Sequence, residues 1–135
     1  MALAQDLMAL GQNPWSAGRL ATGGTGPVSI VAAGNSAATA TQIMVGQFVV
    51  YVTSGTGGIA APPVTGFNMN NVLIYDNYVI HNGTGGTITI YPPAGVTVNI
   101  GGSNITQGSP GTLASLRTVT LWTGPTSTQW FGLLN

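Results

Sequence analysis

The chain has almost no charge. Among its 135 residues there are two arginines, two aspartates and one histidine, and neither lysine nor glutamate occurs. Charged residues make up 3% of the chain, against about a quarter in an ordinary soluble domain. Each absence excludes a chemistry. Without lysine there is no Gly-Lys-Ser/Thr phosphate loop, so the Gly-x-Gly pieces read as β-turns. Arg19 and Arg117 alone cannot supply the phosphate contacts that drive nucleic-acid binding. Asp6, Asp76 and His81 are too few and too scattered for a dedicated metal site, and no cofactor motif is present. Cysteine is absent, which removes disulfides and thiol chemistry. No apolar run approaches the ~20 residues of a membrane helix. The start, Met1-Ala2-Leu3-Ala4-Gln5-Asp6, lacks the basic stretch of a signal peptide.

Catalysis has little to work with. Asp76 and His81 are near in sequence and serine is plentiful, yet a Ser-His-Asp site is recognised by geometry rather than inventory. Asp76 suits a turn, and His81 is expected to end a strand and bond nearby. Glycoside cleavage needs two carboxylates flanking one bond, whereas Asp6 and Asp76 fall in different parts of the chain. The reading is a non-enzyme. A net charge of zero favours association, which points to a subunit working inside an assembly.

What is present is apolar and neutral-polar. Hydrophobic residues make up 44% and mean hydropathy is +0.35, unlike a disordered chain. Two parts are expected: residues 1–26, a helical arm with a Gly-rich linker, and residues 27–135, a β-sandwich or jelly-roll-like domain. In the arm, Leu3, Leu7 and Leu10 share one helix face, Gly11 suits a helix stop, and Asn13-Pro14 suits a second start. Helices this short need a partner surface. Gly23-Gly24-Thr25-Gly26-Pro27 is the linker.

The rest reads as strands: Val28–Ala33, Ala38–Met44, Gln47–Thr53, Val72–Tyr75, Tyr78–His81, Thr87–Tyr91, Val96–Ile100, Thr118–Trp122 and Gln129–Leu133. Thr87–Tyr91 and Val96–Ile100 alternate apolar with uncharged polar residues, one face for a core and one for solvent. Gly83-Thr84-Gly85-Gly86 is expected to be a hairpin loop, and Asp76-Asn77 a two-residue turn. Pro92-Pro93-Ala94-Gly95 breaks pairing. Gly55–Gly58 and Ala61-Pro62-Pro63 are expected in longer loops. No repeat of fixed period is visible. Many short strands with frequent turns argue for a sandwich or jelly roll.

Two Asn-x-Thr sequons, at Asn82 and Asn104, are what chance gives in a chain this rich in Asn, Gly and Thr. Trp15, Tyr75, Tyr78, Tyr91, Trp122, Trp130 and Phe131 could form a carbohydrate platform; core and interface anchoring is the commoner use of such rings. The candidate interface residues are Leu3, Leu7, Leu10, Trp15, Arg19 and Trp130.

The segment Leu7-Met8-Ala9-Leu10-Gly11-Gln12-Asn13-Pro14, with Ala17 and Leu20, resembles the start of many small virion proteins of tailed bacteriophages. His81-Asn82-Gly83, then Thr87 through Gly95, then Asn99-Ile100-Gly101-Gly102, with Gln129-Trp130 near the end, resembles their central signature. Val28–Gly66 matches only in texture, and Gln107–Arg117 fits as an insertion. The resemblance implies a non-enzymatic structural role, as a homotrimer, on a bacteriophage particle, and its motifs fit capsid and tail components alike. The leading expectation is a decoration (cement) protein that binds the major capsid protein. A tail or head-fibre component, with host-glycan contact through exposed rings, is the alternative. It implies no cofactor, metal, nucleic acid or membrane, and a place on the capsid surface after synthesis in the host cytoplasm.

Overall fold

The computed structural model describes residues 27–44, 47–62, 68–69, 72–73, 77–126 and 128–135. The expected helical arm and Asp76 lie outside them. Among the described residues the protein is all-β, with thirteen strands and no helix.

The chain begins as a coil that alternates between two sheets. The first turn supplies β1 (Val28–Val31) and β2 (Thr41–Gln42), the second β3 (Val49–Ser54) and β4 (Gly58–Ala60), and the third β7 (Asn77–Asn82) and β8 (Ile88–Tyr91). Successive turns pair in parallel. In one sheet Val28 lies opposite Val50, and Val50 opposite Ile80. In the other Thr41 lies opposite Ile59, and Ile59 opposite Ile90. Between β4 and β7, β5 (Asn68–Met69) and β6 (Val72–Leu73) form a separate antiparallel ladder.

The second half closes the coil at one end. β11 (Gly111–Leu113) runs antiparallel to β8, and β12 (Thr118–Thr126) antiparallel to β7. β13 (Gln129–Leu134) returns as a hairpin with β12 and lies parallel to β9 (Thr97–Ile100), which pairs with β10 (Ser103–Ile105) at the sheet edge. The result is a seven-stranded sheet, β1-β3-β7-β12-β13-β9-β10, and a four-stranded sheet, β11-β8-β4-β2. Both pack on one core, so the sandwich-like expectation holds at that level. The parallel pairs distinguish it from the antiparallel arrangement that defines a jelly roll.

Local chemistry explains the corners. Gly34 and Gly55 turn the chain from the first sheet to the second in successive turns, at φ +76° and +97°. A side chain there would be strained and would also collide with backbone, Thr39 at Gly34 and Ala32 at Gly55. The strand expected over Ala38–Met44 shrinks to β2. The Thr39 hydroxyl accepts from the Asn35 and Ser36 amides, and Ala40 N donates to Ser36 O at 2.8 Å, winding residues 35–40 into a turn instead.

The expected hairpin at Gly83–Gly86 is also corrected: β7 and β8 belong to different sheets. The segment is a crossover organised around Asn82. Asn82 faces the core in a column with Ile30 and Val52 and is fully buried. Its Nδ2 donates to Gly86 O at 2.8 Å and to Leu113 O on β11 at 2.9 Å. Its Oδ1 accepts from Thr84 N at 3.0 Å and lies 2.7 Å from Thr84 Oγ1. Its backbone accepts from Leu116 N and donates to Arg117 O. The Ser115 hydroxyl donates to Thr84 O. Every polar atom of this buried amide is satisfied, as burial requires. The Asn82 sequon is therefore a structural element sealed in the core.

The aromatic part of the core is a stack. Trp130, 1% exposed, lies nearly parallel to Tyr78 at 5.8 Å, and Tyr78 packs on Phe48 at 5.7 Å. Trp130 Nε1 has no hydrogen-bond partner, a cost of about 1–3 kcal/mol. Burying the rest of the indole returns more, roughly 4–6 kcal/mol from about 150–250 Å² at ~25 cal/mol per Å².

Two substitutions test these contacts. Asn82→Ala removes the side-chain partner of the Leu113 carbonyl and of the Thr84 amide and is expected to cost roughly 3 kcal/mol, a fall of about 10 °C in the thermal midpoint. Leu116, 73% exposed, holds a left-handed φ of 59°. Leu116→Asn should stabilise by up to about 1 kcal/mol, read from urea unfolding.

Candidate functional site

The outward face of the seven-stranded sheet carries the chemistry that the interior does not use. Strand alternation and register arrange its side chains in rows running across the strands. In the first row Tyr51 stacks on His81 with ring centres 5.0 Å apart, and His81 Nδ1 lies 2.8 Å from Thr118 Oγ1. In the second row Val49 lies opposite Val79, Val79 opposite Thr120, and Thr120 opposite Leu133. In the third row Asn77 lies opposite Trp122, Trp122 opposite Phe131, Phe131 opposite Asn99, and Asn99 opposite Asn104.

The large apolar members of these rows are open to solvent. Val49, Tyr51, Trp122, Phe131 and Leu133 are all exposed. Their sequence neighbours Val50, Val52, Leu121 and Trp130 are buried, which fixes the outward sense. In the third row the amides are held in place: Asn99 Nδ2 donates to Asn104 Oδ1 at 2.8 Å, and Gly102 N donates to Asn99 Oδ1 at 3.3 Å. Asn77 Oδ1 lies out of solvent without a hydrogen-bond partner.

A second exposed feature is the open end of the coil. β1 and β2, the first turn of the coil, are edge strands of their respective sheets, and among the described residues no strand pairs beyond them. They are tied together by the Thr41 hydroxyl, which donates to Val31 O at 2.6 Å. Val31 and Met44 project there, 51% and 62% exposed. The chain enters β1 at this end, immediately after Pro27.

Catalytic groups do not gather. Among the described residues no three of His, Cys, Asp or Glu come together. His81 is engaged by Tyr51 and Thr118, while Asp76 lies outside the described residues. A crevice of about 690 Å³ is formed at the corners by Ala32, Gly34, Asn35, Thr39, Gly55 and Thr56 and has no ionisable side chain. Arg117 is exposed and is the only charged side chain among the described residues.

Of the residues expected at an interface, Leu3, Leu7, Leu10, Trp15 and Arg19 lie outside the described residues. Trp130 is inside the core, while Trp122 and Phe131 hold the exposed aromatic positions. From sequence Asn104 stands out only as a sequon and Asn99 only within the resemblance, neither as a site residue. The signal for Asn99 was present, since it alternates with the apolar Val98 and Ile100. Comparison with protein-family models, curated proteins and solved structures finds no match.

The two tryptophans give a direct test of this placement. Trp130→Ala is expected to cost about 4 kcal/mol, the range for emptying a core aromatic site. Trp122→Ala should change stability by less than about 1 kcal/mol, with both values taken from urea unfolding of the full chain.

Proposed function

We propose that the protein is a structural subunit of a bacteriophage particle, in its most specific form a capsid decoration (cement) protein that binds the shell as a homotrimer. The observation that carries the reading is the open end of the coil. Among the described residues β1 and β2 are unpaired at this edge, Val31 on β1 and Met44 just after β2 are exposed, and the chain enters β1 from Pro27. Exposed edges are liabilities that soluble monomers block, commonly with lysine. This chain has no lysine to do so. A neighbour that adds a strand to the edge would satisfy its backbone groups. Leu3, Leu7, Leu10 and Trp15 would add apolar area beside it. The sequence resemblance to small virion proteins supports a structural role on a phage particle and implies the trimer.

In this role attachment depends on apolar area and backbone pairing, with almost no contribution from charge. The protein would then be made in the bacterial cytoplasm and would act on the outside of the assembled shell. A tail or head-fibre component is the second reading, favoured by the exposure of Trp122 and Phe131.

The test is binding of the purified chain to expanded, decoration-free shells. Saturable binding and a raised shell melting temperature are expected, nearly unchanged between ~0.05 and ~0.5 M salt because charge screening has little to act on. The Val31→Lys/Met44→Lys double variant, altered only at exposed positions, should bind at least about tenfold more weakly, as expected for added edge charge. Failure of the unmodified chain to bind such shells would sink the decoration reading.

A further inference from the structure

We propose that the row Asn77–Trp122–Phe131–Asn99–Asn104 is a binding platform for an uncharged polysaccharide. The inference stands on this row alone and goes beyond the choice between a decoration and a fibre protein.

The geometry is linear. Five adjacent strands, β7, β12, β13, β9 and β10, each place one side chain in the row. Four strand spacings of about 4.8 Å give a track of roughly 19 Å across the sheet. Tyr78, Leu121, Trp130 and Val98 sit directly beneath it in the core. The backbone that carries the row is therefore rigid, and its ordering cost is met during folding rather than on binding.

The chemistry fits a hydroxyl-rich, neutral chain. Trp122 and Phe131 are 36% and 42% exposed and occupy the middle of the row. An aromatic ring has a negative face, which attracts the weakly positive C–H bonds on the apolar face of a pyranose. An amide both donates and accepts hydrogen bonds, and so does a sugar hydroxyl. The Asn99–Asn104 bond fixes two of these amides while using one donor of Asn99 and one acceptor position of Asn104. Gln129 and Thr97, opposite one another on β13 and β9, continue the neutral polar character on one side of the row.

Charge complementarity selects the class of ligand. The row contains no ionisable side chain, so an anionic or cationic polymer would find no counter-charge and would lose hydration without return. A protein partner fits less well. Protein hot spots favour Trp, Tyr and Arg in enclosed pockets, whereas this row lies on an outward sheet face, lacks arginine and ends in the bonded Asn99–Asn104 pair. It runs from β7 to the opposite edge of the sheet at β10, with β3 between β7 and the β1 edge. A particle attached by that edge would leave the track uncovered.

The experiment uses the full chain with cellohexaose, maltohexaose and mannohexaose as neutral probes and hexagalacturonate as the charged control, followed by calorimetry and tryptophan fluorescence. Saturable binding of at least one neutral probe is expected, with no comparable binding of hexagalacturonate. Trp122→Ala and Phe131→Ala should each weaken it about tenfold or more. Asn104→Ala should weaken it less, and Trp122→Phe should retain part of it. Thr112→Ala, on the other sheet, should leave it unchanged. Circular dichroism melts establish that each variant is folded. The proposal is overturned if no neutral probe binds, if Trp122→Ala and Phe131→Ala bind as the parent does, or if hexagalacturonate binds as tightly. It is equally overturned if Trp122→Ala abolishes a concentration-dependent self-association of the unliganded chain, since the row would then be a contact between copies. Shell binding is measured separately, so either result can fail without the other.

Discussion

The side-chain amide of Asn82 is the contact on which the closure of this fold depends. It sits where an apolar residue would be expected, at the end of β7, in a column with Ile30 and Val52. From there it reaches the crossover at Gly86 and β11 at Leu113. It thereby joins the last turn of the coil to the strands that cap it, and one sheet to the other. A buried amide with all its bonds made specifies a single arrangement, because any slip leaves several polar groups unpaired at once. Apolar packing alone would tolerate neighbouring registers more easily. The same site accounts for Thr84 and Ser115, whose hydroxyls complete the network instead of facing solvent.

The scarcity of charge shapes the rest. Cohesion comes from apolar area and backbone pairing, as in the Phe48–Tyr78–Trp130 stack and the parallel ladders. The surface is left with hydroxyls, amides and large apolar groups. An ordinary domain surrounds such groups with lysine and glutamate, which keep neighbours apart. Here the open edge of β1 and β2 and the outward rows of the larger sheet have no such guard. They occupy different parts of the molecule: the edge lies where the chain enters the domain, and the aromatic row spans the strands on the far side of β3. One molecule therefore presents two separate exposed features, a sheet edge and an aromatic row.

Sequence alternation made much of this legible. Thr87–Tyr91 and Val96–Ile100 correspond to β8 and β9, with Ile88, Ile90 and Val98 buried as their spacing implies. The strands that escaped notice, β4, β5, β10 and β11, are each two or three residues long. β4 and β11 also begin with glycine, and a three-residue strand has too few positions to show a period. β11 falls within Gln107–Arg117, the stretch that resisted assignment. Gly83–Gly86 has hairpin composition because a tight crossover between layers needs the same small residues as a tight turn. Parallel pairing leaves no local trace, since it depends on which distant strand lies alongside. For that reason Trp130 is expected from sequence at an interface, although it belongs to the core and Trp122 to the surface. The third outward row draws on five strands from Asn77 to Phe131, and only their register brings its members together.

The coil also bears on how such a chain can vary in length. Its turns meet mainly their immediate neighbours, as in repeat proteins whose stability is a sum of local contacts. The passage from β4 to β7 already carries the separate β5–β6 ladder, which the passage from β2 to β3 lacks, and both return the chain to the same sheet. The connection between β4 and β7 is thus a natural graft point. Foreign sequence inserted there would be carried beside a scaffold whose registry is fixed elsewhere, at Asn82 and the strands that cap the third turn.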